Sequence, residues 1–84
     1  MSIIYNLNVR CYEILEYLLH KDGYTTIQQI ADEKSISKRS AYYDIRKINE
    51  WLEAQQIPPL EIERKKGILI GKKQKAKIRK RLKE

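Results

Sequence analysis

Basic and aromatic side chains alternate with apolar ones between Ser37 and Lys47. Ala41, Ile45 and Ile48 recur at helical spacing, so they belong on one face of a helix. At about 100° per residue, the arginines and tyrosines of this segment project from the other side. Arginine can bind the O6 and N7 atoms of guanine with two hydrogen bonds, and a tyrosine hydroxyl suits a phosphate or a base edge. The pattern predicts a helix face that binds nucleic acid.

Two N-caps define a pair of helices that would hold this face in place. Ser37 can cap the helix that carries the face, with its N-terminal amides directed toward a phosphate. Upstream, Thr26 and the glutamine three residues later fit a capping box, so a shorter helix is expected from Thr26 to about Lys34. Ala31 is small where the two helices would cross, and Ile36 is placed to fill the space beneath a tight turn. The segment therefore predicts a helix-turn-helix.

Further elements are predicted on both sides of this motif. Apolar residues at helical spacing predict a first helix over about residues 8–20. After Pro58 and Pro59 the apolar period changes from 3.6 to 2, which predicts a β-hairpin over residues 60–71 with its turn at residues 65–67. The order of elements predicts a mainly α domain with a small β-hairpin: a winged helix-turn-helix of three helices plus the wing.

The positive charge of the chain is concentrated in its C-terminal quarter. The net charge of +7 and the pI near 9.6 favour a polyanionic partner such as nucleic acid. Residues 64–84 carry eleven lysines and arginines against one acid, whereas residues 1–63 carry seven basic and ten acidic residues. We expect residues 1–71 to form the DNA-binding domain. Residues 72–84 are expected to be a basic tail, or a linker helix toward a regulatory domain that this sequence lacks.

Several kinds of chemistry lack the residues that they require. The single cysteine, Cys11, excludes an intramolecular disulfide and a cysteine-rich metal site. The chain has no Ser/His/Asp or Cys/His arrangement at usable spacing, no paired zinc ligands and no glycine-rich phosphate loop, so neither an enzyme nor a cofactor or metal is expected. It also has no signal-peptide pattern and no apolar run near the roughly 20 residues that cross a membrane. We expect a cytoplasmic protein.

The segment from Ala31 to Asn49 resembles the helix-turn-helix of bacterial sugar-operon regulators. Both have a small residue before an apolar one in the turn, then serine with a basic pair, then Asp-Ile and an apolar-Asn ending. The segment is especially similar to the N-terminal domain of activators that carry phosphotransferase-regulation domains. It is also similar to segments of the deoxyribose-operon repressor family and of streptococcal virulence regulators. The resemblance implies regulation of carbohydrate-uptake or metabolism genes, with a wing at residues 64–67 and DNA readout by Lys38, Arg39, Tyr42, Tyr43 and Arg46.

Two positions depart from that family pattern, and one acid needs a partner. Lys34 stands where an apolar residue is usual, so its charged end is expected to reach solvent over an apolar stem. Ser35 stands where glycine is usual and requires either a positive φ or a different turn.

Asp44 projects toward the edge of the core face of its helix. Because a carboxylate beside DNA would be repulsive, we predict that it pairs with Arg10 on the first helix.

Duplex DNA is the expected partner, bound by a homodimer if the operator is symmetric, with the dimer contacts supplied here or by other domains. Two alternatives stay open at this point: an RNA-binding antiterminator module and a winged helix that binds protein. The lack of an aromatic-rich sheet face counts against RNA. The candidate DNA-binding residues come from the two helix starts, the third helix and the wing: Thr26, Ser37, Lys38, Arg39, Ser40, Tyr42, Tyr43, Arg46, Lys47, Arg64, Lys65 and Lys66.

Overall fold

A computed structural model describes residues 7–83, and its elements follow the predicted order. Three helices precede an antiparallel hairpin, and a fourth helix follows it, which confirms a mainly α winged helix-turn-helix. None of the described helices combines the length and the apolar character needed to span a membrane. The elements are α1 (Val9–Leu19), α2 (Ile27–Lys34), α3 (Lys38–Ala54), β1 (Glu61–Glu63), β2 (Gly67–Leu69) and α4 (Lys72–Lys83).

Side-chain caps begin the first three helices. The Asn8 side chain accepts a hydrogen bond from the Cys11 amide at the start of α1, at 2.8 Å. At α2, Thr26 and Gln29 form both halves of a capping box, with bonds of 3.1 and 2.8 Å. The Ser37 hydroxyl accepts from the Ser40 amide at 3.1 Å and begins α3. Each cap satisfies an amide that has no partner within its own helix.

Apolar side chains from every layer meet in one core. The faces of α1, α2 and α3 supply most of it, as their helical periodicity predicts. The hairpin closes one side of the core, and α4 contributes one fully buried residue. The largest side chains with no more than 1% exposure are Ile14, Leu15, Ile30, Ile45, Ile48, Leu52, Ile68 and Ile78.

The turn between α2 and α3 resolves the two departures from the family pattern. Ser35 adopts φ 55° and ψ 45°, the left-handed conformation that a glycine would take more readily. The Ile36 amide then donates to the carbonyl of Ala31 at 2.9 Å, which closes the turn. Lys34 is mostly covered, and its Nζ lies 3.9 Å from a carboxylate oxygen of Glu13. The apolar position is thus occupied by the lysine stem, while its charge meets an acid at the surface.

The hairpin differs from the sequence prediction in its turn and in one strand residue. The turn consists of Arg64, Lys65 and Lys66, and Gly67 instead begins β2, opposite Glu63. Ile62 pairs with the buried Ile68 but is itself 53% exposed, so the alternation of β1 does not place it in the core. The hairpin is joined to the loop before α2 by two backbone hydrogen bonds, of 2.8 and 2.7 Å, between Thr25 and Ile68.

The basic segment after the hairpin is a helix that contributes to the core and hydrogen-bonds to the end of α1. Ile78 is fully buried, although the apolar stripe of this segment is too thin for it to fold alone. Lys75 Nζ donates to the carbonyl of Lys21 at 2.6 Å, and Arg79 donates to that of Leu19 at 3.0 Å. Leu19 is the last residue of α1, so Arg79 satisfies a carbonyl where the helix dipole favours positive charge, whereas Lys75 binds the loop two residues further on. The division of function between residues 1–71 and 72–84 stays a prediction.

Cys11 is predicted to be a slow-reacting thiol in the folded chain. It is fully buried, and this burial, with the charge of Asp44 as the next cause, raises the pKa of the Cys11 thiol to about 11. Because only the thiolate attacks a disulfide reagent, labelling with dithionitrobenzoate at pH 8 should be roughly 100-fold slower than in urea-unfolded chain. Absorbance of the released chromophore measures both rates, and equal rates would contradict the buried position.

The same thiol gives the domain a defined alkaline pH dependence. The thiol of the unfolded chain ionises near a pKa of about 8.5, whereas the folded one keeps its proton until about pH 11. The folded state therefore binds more protons between these values. Its free energy of unfolding should fall as the pH rises through that interval, and a Cys11→Ser variant should lack this part of the fall.

Candidate nucleic-acid interface

The outer face of α3 is exposed and carries most of the predicted binding residues. Tyr42 and Tyr43 are 55% and 54% exposed, unusually high for aromatic residues. The four cations of this face are exposed beside them: Lys38, Arg39, Arg46 and Lys47.

Local contacts order part of this face before any ligand binds. Lys47 Nζ lies over the Tyr43 ring, 5.1 Å from its centroid, in a cation–π contact between successive turns of α3. At the helix start, the Ser37 hydroxyl also donates to the hydroxyl of Ser40 at 3.1 Å. Two hydroxyl groups thus lie beside the N-terminal amides of α3. Amides and hydroxyls are donors that suit an anion such as phosphate.

The only acid between residues 38 and 49 is buried away from this face. Asp44 is 0% exposed, and its two carboxylate oxygens accept hydrogen bonds of 2.5 and 3.0 Å from Nε and Nη2 of Arg10. The predicted pair is confirmed. The hydrogen bonding and the charge of Asp44 raise the pKa of Arg10, so the guanidinium stays protonated. The N-terminal half of α3 therefore presents cations and hydroxyls to solvent without an exposed carboxylate.

The C-terminal half of α3 has the opposite character. Glu50 and Glu53 are exposed and border a hollow together with Arg46 and Ile62. Carboxylates here would repel a phosphate backbone. The charge of the helix is thus divided along its axis, which orients its N-terminal end toward a polyanion.

The wing and the helix-turn-helix meet at one groove, here called the α3–wing groove. Residues from three predicted regions line it: Thr26 at the start of α2, Lys38 and Tyr42 on α3, and Arg64 and Lys65 in the hairpin turn. Ser37, Arg39, Ser40, Tyr43, Arg46, Lys47 and Lys66 are outside its lining. The fold therefore brings five of the twelve predicted residues to one concave surface and leaves most of the others along α3.

Sequence reasoning did not single out four exposed residues in or beside this groove, one of which is the acid Glu63 in its lining. Gln28 and Ile62 line the α3–wing groove, and Tyr24, 40% exposed, lies beneath Lys66 Nζ at 5.5 Å from its ring centroid. Gln28 could have been found from its place one turn into a predicted capped helix. Ile62 and Tyr24 carry no such local signal, because their exposure depends on where the hairpin lies against α2 and α3.

A helix-turn-helix with an exposed basic second helix, and a basic hairpin turn at the same groove, defines the winged helix-turn-helix class of DNA-binding domains. The model of one family, the Mga helix-turn-helix domain, matches residues 4–79. The chain belongs to the Mga helix-turn-helix family and is the DNA-binding domain of a regulator. Comparison with curated proteins and with solved structures gave no significant match.

Proposed function

We propose that this domain recognises a specific duplex DNA sequence with α3, as part of a bacterial transcription regulator of carbohydrate-uptake or metabolism genes. The observation that carries the proposal is the outer face of α3. This face has exposed cations and tyrosines. Asp44, the single acid in the N-terminal half of α3, is buried against Arg10. The carbohydrate target genes rest on the resemblance of residues 31–49 to sugar-operon regulators.

The proposed contacts divide into base readout and backbone positioning. Arg39 and Arg46 project from the outer face of α3 and suit the paired acceptors of guanine in the major groove. Ser37 and Thr26 begin helices, where amides and hydroxyls bind phosphate. The wing cations sit on a short turn that reaches a backbone more easily than a base edge, so we assign them affinity without sequence preference.

Arg39→Ala and Arg46→Ala should each weaken operator binding by about 1–3 kcal/mol, roughly 5- to 150-fold, which is the range for one bidentate base contact. A duplex selected from a random pool with the wild-type chain supplies the operator, and fluorescence anisotropy measures the affinity. Binding to a scrambled duplex should fall less, because only the phosphate contribution of each arginine is lost there. Tyr43→Phe is the matched control and should cost less than either arginine.

The result that would contradict this role of α3 is operator affinity at the wild-type value in both arginine variants.

RNA of the same sequence tests the antiterminator alternative. The strand sequences Glu-Ile-Glu and Gly-Ile-Leu give the hairpin no aromatic residue on which an unpaired base could stack. We therefore expect a salt-dependent shift with duplex DNA and a weaker one with single-stranded RNA.

A further inference from the structure

The fourth helix carries far more charge than its packing uses. Its 12 residues include eight lysines and arginines and no acid. Two of these cations, Lys75 and Arg79, donate to the carbonyls of Lys21 and Leu19, just beyond and at the end of α1. Ile78 anchors the same side in the core. The structural needs of α4 are therefore met by one face, and the charge of its other face requires a separate explanation.

Three lysines on the outer side of α4 form a continuous basic ridge, here called the α4 ridge. Lys73, Lys77 and Lys80 follow one another at spacings of four and three residues, which puts them on one helix face. All three are exposed, and no carboxylate within residues 7–83 forms an ion pair with them. At 1.5 Å per residue, the ridge covers about 10 Å of helix.

The α4 ridge lies at the end of α3 that is remote from the proposed operator contact. Lys77 and Lys80 border a hollow with Gln55, Gln56 and Ile57, which directly follow the C-terminus of α3. The 17 residues of α3 make it about 25 Å long, and its readout face runs from the N-terminal end to the middle of the helix. The hollow beside the ridge shares no lining residue with the α3–wing groove, so the two surfaces are separate.

The chemistry of the α4 ridge favours a duplex phosphate backbone over single-stranded nucleic acid or a membrane surface. None of the exposed large apolar side chains in residues 7–83 lies on α4. The ridge thus lacks the aromatic platform on which single-stranded bases stack, and it lacks the apolar face with which a helix enters a membrane surface. Lysines act as point charges toward phosphate and read no base pattern in this arrangement.

We propose that the α4 ridge is a second DNA-binding surface, which holds the backbone of a duplex segment other than the operator without sequence preference. One domain then contacts two segments of DNA at opposite ends of α3. The inference rests on the proposed function for the operator segment, and the ridge itself needs only nonspecific duplex.

A bridging experiment with the 84-residue chain tests this surface. Operator duplex is immobilised, the chain is added, and capture of a fluorescent scrambled duplex from solution is measured at low salt. The variant K73Q/K77Q/K80Q should capture at least about tenfold less, because its three phosphate contacts are lost. The slope of log K against log salt for that second duplex should fall by about 2.7, at 0.9 for each contact. The charge-retaining control K73R/K77R/K80R should capture like wild type.

The outcomes separate this proposal from the proposed operator function. Operator affinity of K73Q/K77Q/K80Q at the wild-type value, with bridging lost, supports the ridge. An absence of bridging by the wild-type chain overturns the proposal, and it leaves an acidic protein surface as the partner to seek. Bridging that survives in K73Q/K77Q/K80Q but disappears in Arg39→Ala/Arg46→Ala also overturns it, since a second copy then holds the second duplex through its own α3. If the wild-type chain shows no operator preference yet still bridges scrambled duplexes through the lysines, only the operator function fails.

Discussion

Gly67→Ala should lower the free energy of unfolding by about 3 kcal/mol, through strain at a positive φ and loss of hydrogen bonds that join the wing to the domain. Gly67 has φ +107°, a conformation that side chains rarely adopt. A Cβ atom there would lie 2.3 Å from the carbonyl oxygen of Thr25 and 2.8 Å from the Cα atom of Thr26. Both neighbours are backbone, so the hairpin itself must move. That movement strains the paired hydrogen bonds between Thr25 and Ile68.

Urea denaturation followed by circular dichroism measures this loss, and Gly23→Ala is the matched control. Gly23 also has a positive φ, of 78°, but a Cβ atom there meets nothing within 4 Å. Its substitution should therefore cost only the conformational strain, about 1 kcal/mol. Equal losses in the two variants would show that the close approach to Thr25 contributes nothing. DNA affinity at the wild-type value in Gly67→Ala would likewise count against a wing held by this contact.

Removing the cation from the Arg10–Asp44 pair should have the largest effect on stability. The Asp44 carboxylate is fully buried, and leaving it without its partner costs about 3–5 kcal/mol. Arg10→Met creates that state while it keeps much of the side-chain volume. Asp44→Asn should cost less, because Arg10 is 45% exposed at its side chain and can turn to water.

The double variant Arg10→Met/Asp44→Asn completes the thermodynamic cycle for this pair. Its stability should be close to that of Asp44→Asn, since no buried charge is left in it. Thermal and urea unfolding measure all four chains. If Arg10→Met costs no more than Asp44→Asn, the buried carboxylate does not depend on Arg10. Arg39→Met is a suitable control, because Arg39 is exposed and has no ion pair among the described residues.

Much of the helical architecture could be predicted from the sequence because helix signals act over a few residues. The predicted caps at Thr26 and Ser37 lie three residues from the amides that they bind, so they identify the starts of α2 and α3 directly. The same reasoning left either a positive φ or a different turn at Ser35, and the structure has the positive φ. The Arg10–Asp44 pair was also predictable, because helical projection and the cost of an unpaired carboxylate both pointed to it.

By itself, then, the sequence determined the two capped helices of the helix-turn-helix, the first helix from its apolar spacing, the outer face of α3 and the burial of its acid. The tertiary structure alone decided which residues meet across elements: the approach of Gly67 to Thr25, the exposure of Ile62 and the lining of the α3–wing groove. It also decided that the segment from Lys72 is a helix anchored in the core by Ile78 rather than a free tail. The physical reason is range. Caps and periodicity depend on neighbours a few residues away, whereas these contacts form only when separate elements pack and bury their apolar faces together.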